Sequence, residues 1–205
     1  MSASQPDLWG HQGPVSGRGG PHFAELINQV RRVQEQVATA QLPALVATTV
    51  ASQLSGIADT LAAHRGKPAD AAAGARTDLP GRGHPFLPPH VIDTWTDTEV
   101  RAHITYTDYF VGGNSVAAGA HGVVFSDIMG RLSVGGGRPL SRAAYLHINF
   151  RSATPVGRRL EVEATLDRID GRKRFISGRL LDDGVVVVEA EGLFIEIQDV
   201  SIAPL

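Results

Sequence analysis

The 205-residue chain contains no cysteine, which excludes a disulfide scaffold, a thiolate zinc site and a Cys nucleophile. It also lacks an excess of charge: nineteen Lys and Arg stand against twenty-one Asp and Glu, a formal balance of −2. That balance removes the global electrostatic argument for nucleic acid or an anionic membrane as the main partner. No run of about 18 uncharged apolar residues is available to span a bilayer. With 42% apolar and 20% charged residues, the composition predicts a soluble globular protein. The N-terminal MSASQPDLWGHQGPVSGRGGPHF has neither the basic nor the apolar region of a secretory signal, so a cytoplasmic location is expected. A phosphate-cradling GxxxxGK(S/T), a GxSxG elbow, an HExxH, and a GxGxxG between strand and helix are all absent. ATP-driven, serine-hydrolase, zincin and NAD-dependent chemistries lose support accordingly.

What is present suits one domain with an appendage. Residues 1–21 are rich in Gly, Pro and Ser and are expected to be loose. Within 22–65, Phe23, Leu26, Ile27, Val30, Val33 and Val37 recur at helical spacing. Leu42-Pro43 interrupts the pattern. Val46, Val50, Leu54, Ile57 and Leu61 then repeat at intervals of three and four. The pair reads as a helical hairpin whose apolar stripe docks on the core or on a neighbouring subunit, because helices of this length are marginal alone in water. Residues 66–97 read as a linker. From Gly66 to His90 nine of twenty-five residues are Gly or Pro, which predicts an extended connection without regular structure, stiffened by its prolines.

Over 98–198 the period changes from 3.6 to 2. Val100, Ala102, Ile104 and Tyr106 alternate with polar residues, as do Ala144/Leu146/Ile148/Phe150 and Leu160/Val162/Ala164/Leu166, and Val185 to Ile197 forms a final run. Asp170-Gly171 and Asp183-Gly184 bracket one more strand of poor alternation. Residues 116–133, VAAGAHGVVFSDIMGRLS, are apolar almost all round apart from His121, Ser126 and Asp127, so a helix there must be buried. Strand, buried helix, then four strands predicts an α+β architecture in which an antiparallel sheet wraps one central helix.

In VGGNSVAAGAHGVVFSDIMGRL at 111–132, AAYLHINFRSATPVGRRLEVEATL at 143–166, GRKRFISGRL at 171–180 and VVVVEAEGLFIEI at 185–197, the chain resembles the hotdog-fold thioesterases, specifically the PaaI-like acyl-CoA thioesterase family. The resemblance covers about half the chain. It implies a hotdog domain, a homodimer whose sheets join edge to edge and which can assemble further to a tetramer, active sites at the dimer interface, hydrolysis of acyl-CoA thioesters, and neither metal nor cofactor beyond the coenzyme A of the substrate. The family's His-Gly-Gly precedes the central helix, with an acid nine positions after the His. Aligned without gaps on FSDIMG, that acid falls on Ser126 and the motif on Ala117, Ala118 and Gly119. Aligned on His121-Gly122, the acid is Asp127, six positions on.

The residues constrain this further. Six positions turn an α-helix by about 600°, so His121 and Asp127 point roughly 120° apart and form no dyad on one face. A carboxylate in an apolar helix is costly unless paired, which makes Asp127 the leading catalytic candidate, ahead of Ser126 and His121. A structural ion pair is its alternative, and a hydrogen-bonded structural His and a Ser bonded one turn back are the alternatives for the other two. Gly119 or Gly122 could present an oxyanion-binding amide, and Asn114 is either a substrate contact or a turn residue. Residues 131–181 hold eleven Lys and Arg against four Asp and Glu. Arg158, Arg159, Arg172, Lys173 and Arg174 are therefore candidate contacts for coenzyme A phosphates, or else a charged strand edge. Against the acyl-CoA thioesterase stand a non-catalytic acyl-CoA-binding hotdog protein, a hotdog hydratase or dehydratase, disfavoured by the absent D-x-N-P-x-H, and a structural role in which the hairpin recruits a partner.

Overall fold

The computed structural model describes residues 17–67 and 70–197. The expected loose segment lies outside the described residues up to residue 16. Residues 17–21 are a turn folded back on the chain, where the Arg18 carbonyl accepts from Arg76 Nη1 at 3.0 Å. Two N-terminal helices, α1 (Phe23–Thr39) and α2 (Ala44–Ala63), come first. Then follow β1 (Val91–Trp95), β2 (Glu99–Thr105), a small hairpin of β3 (Val111–Gly112) and β4 (Ser115–Val116), helix α3 (Ala118–Ser133), and four long strands. These are β5 (Ser141–Phe150), β6 (Arg159–Asp170), β7 (Lys173–Asp182) and β8 (Val185–Glu196). The main sheet is antiparallel, in the order β1-β2-β6-β7-β8-β5.

One face of this sheet wraps α3. Alternate residues point to it, as the period of two requires: Val100, Ala102 and Ile104 from β2, Leu160, Val162 and Ala164 from β6, Ile176 and Leu180 from β7, Val188, Ala190 and Phe194 from β8. They close on Val124, Phe125, Ile128, Met129 and Leu132 of α3, all essentially inaccessible. The helix lies close because β7 is bare beneath it. A Cβ on Gly178 would stand 2.8 Å from Phe125 Cε1, inside van der Waals contact. The weak alternation of β7 has the same cause: its inward set is Arg174, Ile176, Gly178 and Leu180, so one cation and one glycine sit where apolar side chains would have marked the period.

Three expectations are corrected. The sheet has six strands, since β1 occupies residues read as linker and pairs with β2 through a turn capped by Thr96, whose Oγ1 accepts the Glu99 amide at 2.9 Å. The two N-terminal helices do not form a hairpin. The chain between them is extended through Ala40 and Pro43, and they do not pack along one another. Helix α1 buries Ile27 and lies against the turn at Asp108–Phe110, whereas α2 buries none of its residues and leaves Leu45, Val46, Leu54, Ile57 and Leu61 exposed. The stretch before β1 is a folded loop and not an open connection. Gly81 N–H donates to His90 O at 2.8 Å and Gly74 N–H to Arg82 O at 3.0 Å. Arg31 of α1 reaches in to donate to Pro80 O at 2.8 Å.

Candidate active site

Helix α3 presents Gly119, Gly122, Val123, Ser126, Asp127 and Gly130 along one face, the i, i+3, i+4 spacing of a helical stripe. Facing them across a cavity of about 590 Å³ are Arg82, Phe86 and Leu87 of the loop and the start of β5, including Ser141 and Arg142. Three of the six α3 residues are glycines, so a ligand can approach the helix backbone closely. Ser126 and Asp127 both reach this cavity, Ser126 exposed and Asp127 nearly closed off, with 4% of its side chain accessible.

Asp127 is held at both oxygens. Arg82 Nη2 lies 2.7 Å from Oδ1, and His90 Nε2 lies 3.0 Å from Oδ2. The reach of Arg82 depends on an unusual backbone: Gly81, Arg82 and Gly83 all have positive φ, of 53°, 54° and 62°. At Gly81 a side chain is excluded outright, because its Cβ would stand 2.8 Å from Pro88 O. At Arg82 the left-handed conformation costs on the order of 1 kcal/mol for a residue with a Cβ, and the ion pair offsets it. Burial pushes the Asp127 carboxyl up, but the His90 hydrogen bond and the charges of Arg82, His90 and Arg131 outweigh it and hold the pKa below the ordinary carboxylate value. The group is therefore an anion at neutral pH. Arg131, one turn along α3, is buried over the Trp95 ring at 5.6 Å, and burial lowers its guanidinium to about 10 despite Asp127.

His121 is elsewhere. It is buried against Tyr106 and Phe150, with ring centroids 5.3 and 5.8 Å away, and its Nδ1 is 3.1 Å from the Tyr106 hydroxyl. Burial lowers its pKa to about 4 and raises that of Tyr106. Both are neutral at pH 7. His121 does not line the cavity, and the 120° separation from Asp127 is what the helix geometry required. Asn114 is exposed at the tip of the β3–β4 turn beside Gly113, whose φ is 80°, which is the turn reading. Gly119 and Gly122 do line the cavity.

The basic residues do not form one phosphate face. Arg158 precedes β6 and Arg159 begins it, while Arg172 and Lys173 lie beyond its other end, about 35 Å away at strand rise, and none of these four lines the cavity. Arg158 pairs with Asp182 at 2.9 Å and with Asp183, and Arg159 lies 3.9 Å from Asp93. Arg174 is withdrawn as a substrate contact: it is buried, donates to Ser133 O and Pro139 O, and pairs with Glu196 at 3.0 Å. Four cations of the 131–181 stretch, Arg151, Arg158, Arg159 and Arg174, pair with acids outside it. Sequence reasoning missed Arg82 and His90, which lay in the presumed linker, and Arg142. Of the groups around Asp127, Arg131 was readable, four residues along the same helix.

Among the described residues, no cluster of three or more His, Asp or Glu is arranged to hold a metal, and no helix is long and apolar enough to cross a membrane. No protein-family model and no curated protein matches the chain. Among solved structures, a protein of the thioesterase superfamily is similar at 24% identity, over 86% of this chain and 96% of that one, with a TM-score of 0.75. A hypothetical thioesterase from Streptococcus pneumoniae TIGR4, crystallised with coenzyme A, is similar at 13% identity over 52% of this chain and 86% of that one, with a TM-score of 0.49. A Streptococcus mutans UA159 protein bound to acetyl-CoA is similar at 12% over 51% and 85%, also with a TM-score of 0.49. The likeness to the first is one of fold. The chain has the hotdog fold, preceded by two helices.

Proposed function

We propose that this protein hydrolyses acyl-CoA thioesters to free acid and coenzyme A. The observation that carries the reading is an ionised, oriented carboxylate, Asp127, in the wall of a cavity on the central helix of a hotdog fold. Each oxygen of Asp127 accepts one hydrogen bond and retains a lone pair for a water molecule. In the proposed reaction Asp127 takes a proton from water as the water oxygen bonds to the thioester carbonyl carbon. The amide of Gly119, in the first turn of α3 where helix N–H groups lack intrahelical partners, stabilises the oxyanion, and Gly122 leaves room for the substrate to approach. The tetrahedral intermediate then collapses, the carbon–sulfur bond breaks, and the proton passes from Asp127 to the departing thiolate. The products are a carboxylic acid and a thiol, and the enzyme is unchanged. Ser126 lies beside this carboxylate and contacts substrate or water. Arg142 at the cavity mouth is the cation for the anionic part of the donor.

The same reading includes a homodimer. Among the described residues the outer edge of β5 has no strand paired to it, with Tyr145 and Phe150 about half exposed, and the apolar face of α2 is left exposed. A second copy satisfies both.

The test is thiol release from a panel of acyl-CoAs, read with a thiol-reactive dye that a cysteine-free protein leaves silent. A competing reading has one observation in its favour: the two donors that hold Asp127, Arg82 and His90, weaken it as a base, which suits a protein that binds acyl-CoA without turning it over. Thermal stabilisation by acyl-CoA with no thiol released would select that reading.

A further inference from the structure

Both ring nitrogens of His90 face acceptors. Nδ1 lies 3.0 Å from Pro88 O, a carbonyl that also accepts the His90 amide at 2.7 Å. Nε2 lies 3.0 Å from Oδ2 of Asp127. A carbonyl oxygen only accepts, so Nδ1 carries a hydrogen, and an ionised carboxylate only accepts, so Nε2 carries one too. One alternative puts that second proton on Oδ2, and another leaves Nδ1 bare, setting an acceptor against the Pro88 carbonyl at 3.0 Å. Arg82, donating to Oδ1 from 2.7 Å, opposes the first by stabilising the anion.

We propose that His90 is a positioning residue: as an imidazolium buried behind Asp127, donating from both nitrogens, it aims the carboxylate at the cavity and keeps it ionised. The catalytic part of this inference rests on the reading of Asp127 as the group that activates water. The geometry supports it independently. His90 is 2% exposed and does not line the cavity, so it acts through Asp127 and touches no substrate. Its ring is fixed at the far side by Pro88, within the same loop that carries Arg82, so the two donors hold the carboxylate plane from two directions. The other charged or titratable groups around Asp127 are Arg131 on α3 and His84 of the loop, with Arg142 across the cavity. Among the groups that hold the Asp127 carboxyl down, the His90 hydrogen bond is the largest. A substitution that removes it therefore raises the pH at which Asp127 takes up a proton.

The experiment is imidazole nitrogen NMR on the full-length 15N-labelled protein at pH 7, with the His90 signals assigned by their loss in His90→Gln. The expected result is a ring protonated at both nitrogens. In Asp127→Asn the ring becomes neutral and keeps only the Nδ1 hydrogen, because the introduced side-chain amide can donate its N–H to Nε2 while its oxygen accepts from Arg82. A wild-type His90 with either ring nitrogen unprotonated overturns the proposal. The kinetic arm uses the acyl-CoA that the wild type hydrolyses best. His90→Gln is expected to lower kcat by roughly a hundredfold, the size of effect that follows misplacing a catalytic group by about 1 Å. KM should stay within about twofold, and the acid limb of the kcat/KM profile should move to higher pH. His90→Phe, which cannot donate, should lose more than His90→Gln. A smaller active fraction with an unmoved acid limb means a purely structural His90 and overturns the positioning role. No turnover by the wild type overturns the hydrolase reading and the catalytic use with it, while the spectra still decide where the proton is.

Discussion

Truncating Asp127 to Ala removes the one anion between Arg82 and His90 and leaves two donors facing a void. The Asp127 side chain is 4% exposed and that of Arg82 12%, so both charges are largely withdrawn from bulk solvent, and cavity water replaces the lost carboxylate only in part. Breaking a buried pair from one side costs about 3–5 kcal/mol. Two hydrogen bonds to a charged group, at about 1.5–3 kcal/mol each, give the same range. Against a total stability of about 5–15 kcal/mol, that is a large fraction. With a urea slope of about 2 kcal/mol/M, the midpoint should fall by about 2 M, measured on the full chain at fixed protein concentration. Asp127→Asn retains an acceptor and should lose about 1–2 kcal/mol. In an Arg82→Met background the cost of Asp127→Ala should shrink, with a coupling of about 1–3 kcal/mol. The sign with pH follows from the lowered carboxyl: its contribution is present above the ordinary carboxylate pKa and is lost as pH falls through the folded value. An Asp127→Ala protein within about 0.5 kcal/mol of wild type at pH 7 would refute the reasoning, because that is the range of an exposed, unengaged side chain.

Gly178→Ala should destabilise by about 1–3 kcal/mol in urea, since its Cβ would enter the Phe125 ring, and Phe125→Leu should recover part of the loss. His121, lowered to about 4 by burial, takes up fewer protons in the folded than in the unfolded chain between pH 6.5 and 4. Stability should thus fall as pH drops through that window, by on the order of 2 kcal/mol, and His121→Gln should flatten the slope. Arg82→Gly should be more stable than Arg82→Ala by about 1 kcal/mol, the reverse of the usual order, because both lose the guanidinium and only Ala keeps the positive-φ penalty. Sedimentation should show a dimer at micromolar concentration, shifted towards monomer by Leu54→Glu with Ile57→Glu. A monomeric wild type would leave the exposed face of α2 without its proposed cover.

The strands that the sequence revealed are those whose inward residues are all apolar, such as Leu160, Val162 and Ala164 of β6. Strand β7 was recognisable from its flanking Asp-Gly turns alone, because Arg174 and Gly178 occupy two inward positions for reasons of contact and not of hydropathy. Strand β1 follows Pro88-Pro89 and has too few residues to display a period. Periodicity identified α1 and α2 as amphipathic but carries no information on what an apolar stripe meets, so the hairpin did not follow from it. At the candidate site, a carboxylate among apolar helical neighbours marked Asp127, which lines the cavity. Its partners were not legible, because His90 is 37 residues away in a segment whose composition says only that it is not helix or strand. The charge count over 131–181 misled for a related reason: ion pairs are set by strand register, and Asp182, Asp183, Glu189 and Glu196 lie beyond the window that was summed.

The folded loop before β1 ties the wall of the cavity to the charge of the group within it. Its turn at Gly81–Gly83 exists in a left-handed conformation that Arg82 alone would not choose, and its closing hydrogen bond, from Gly81 to the His90 carbonyl, sets the two donors on either side of the same gap. Asp127 fills that gap. The carboxylate proposed to activate water is therefore also the anchor of the segment carrying Phe86 and Leu87 into the cavity, and its protonation weakens that anchor. A conservative replacement that preserves shape but not charge keeps the cavity only to the extent that an amide can satisfy a guanidinium and an imidazole together. It follows that loss of activity in Asp127→Asn assigns a catalytic role only when the loop is shown to remain docked, for which protection of the Gly81 amide from hydrogen exchange is the direct measure.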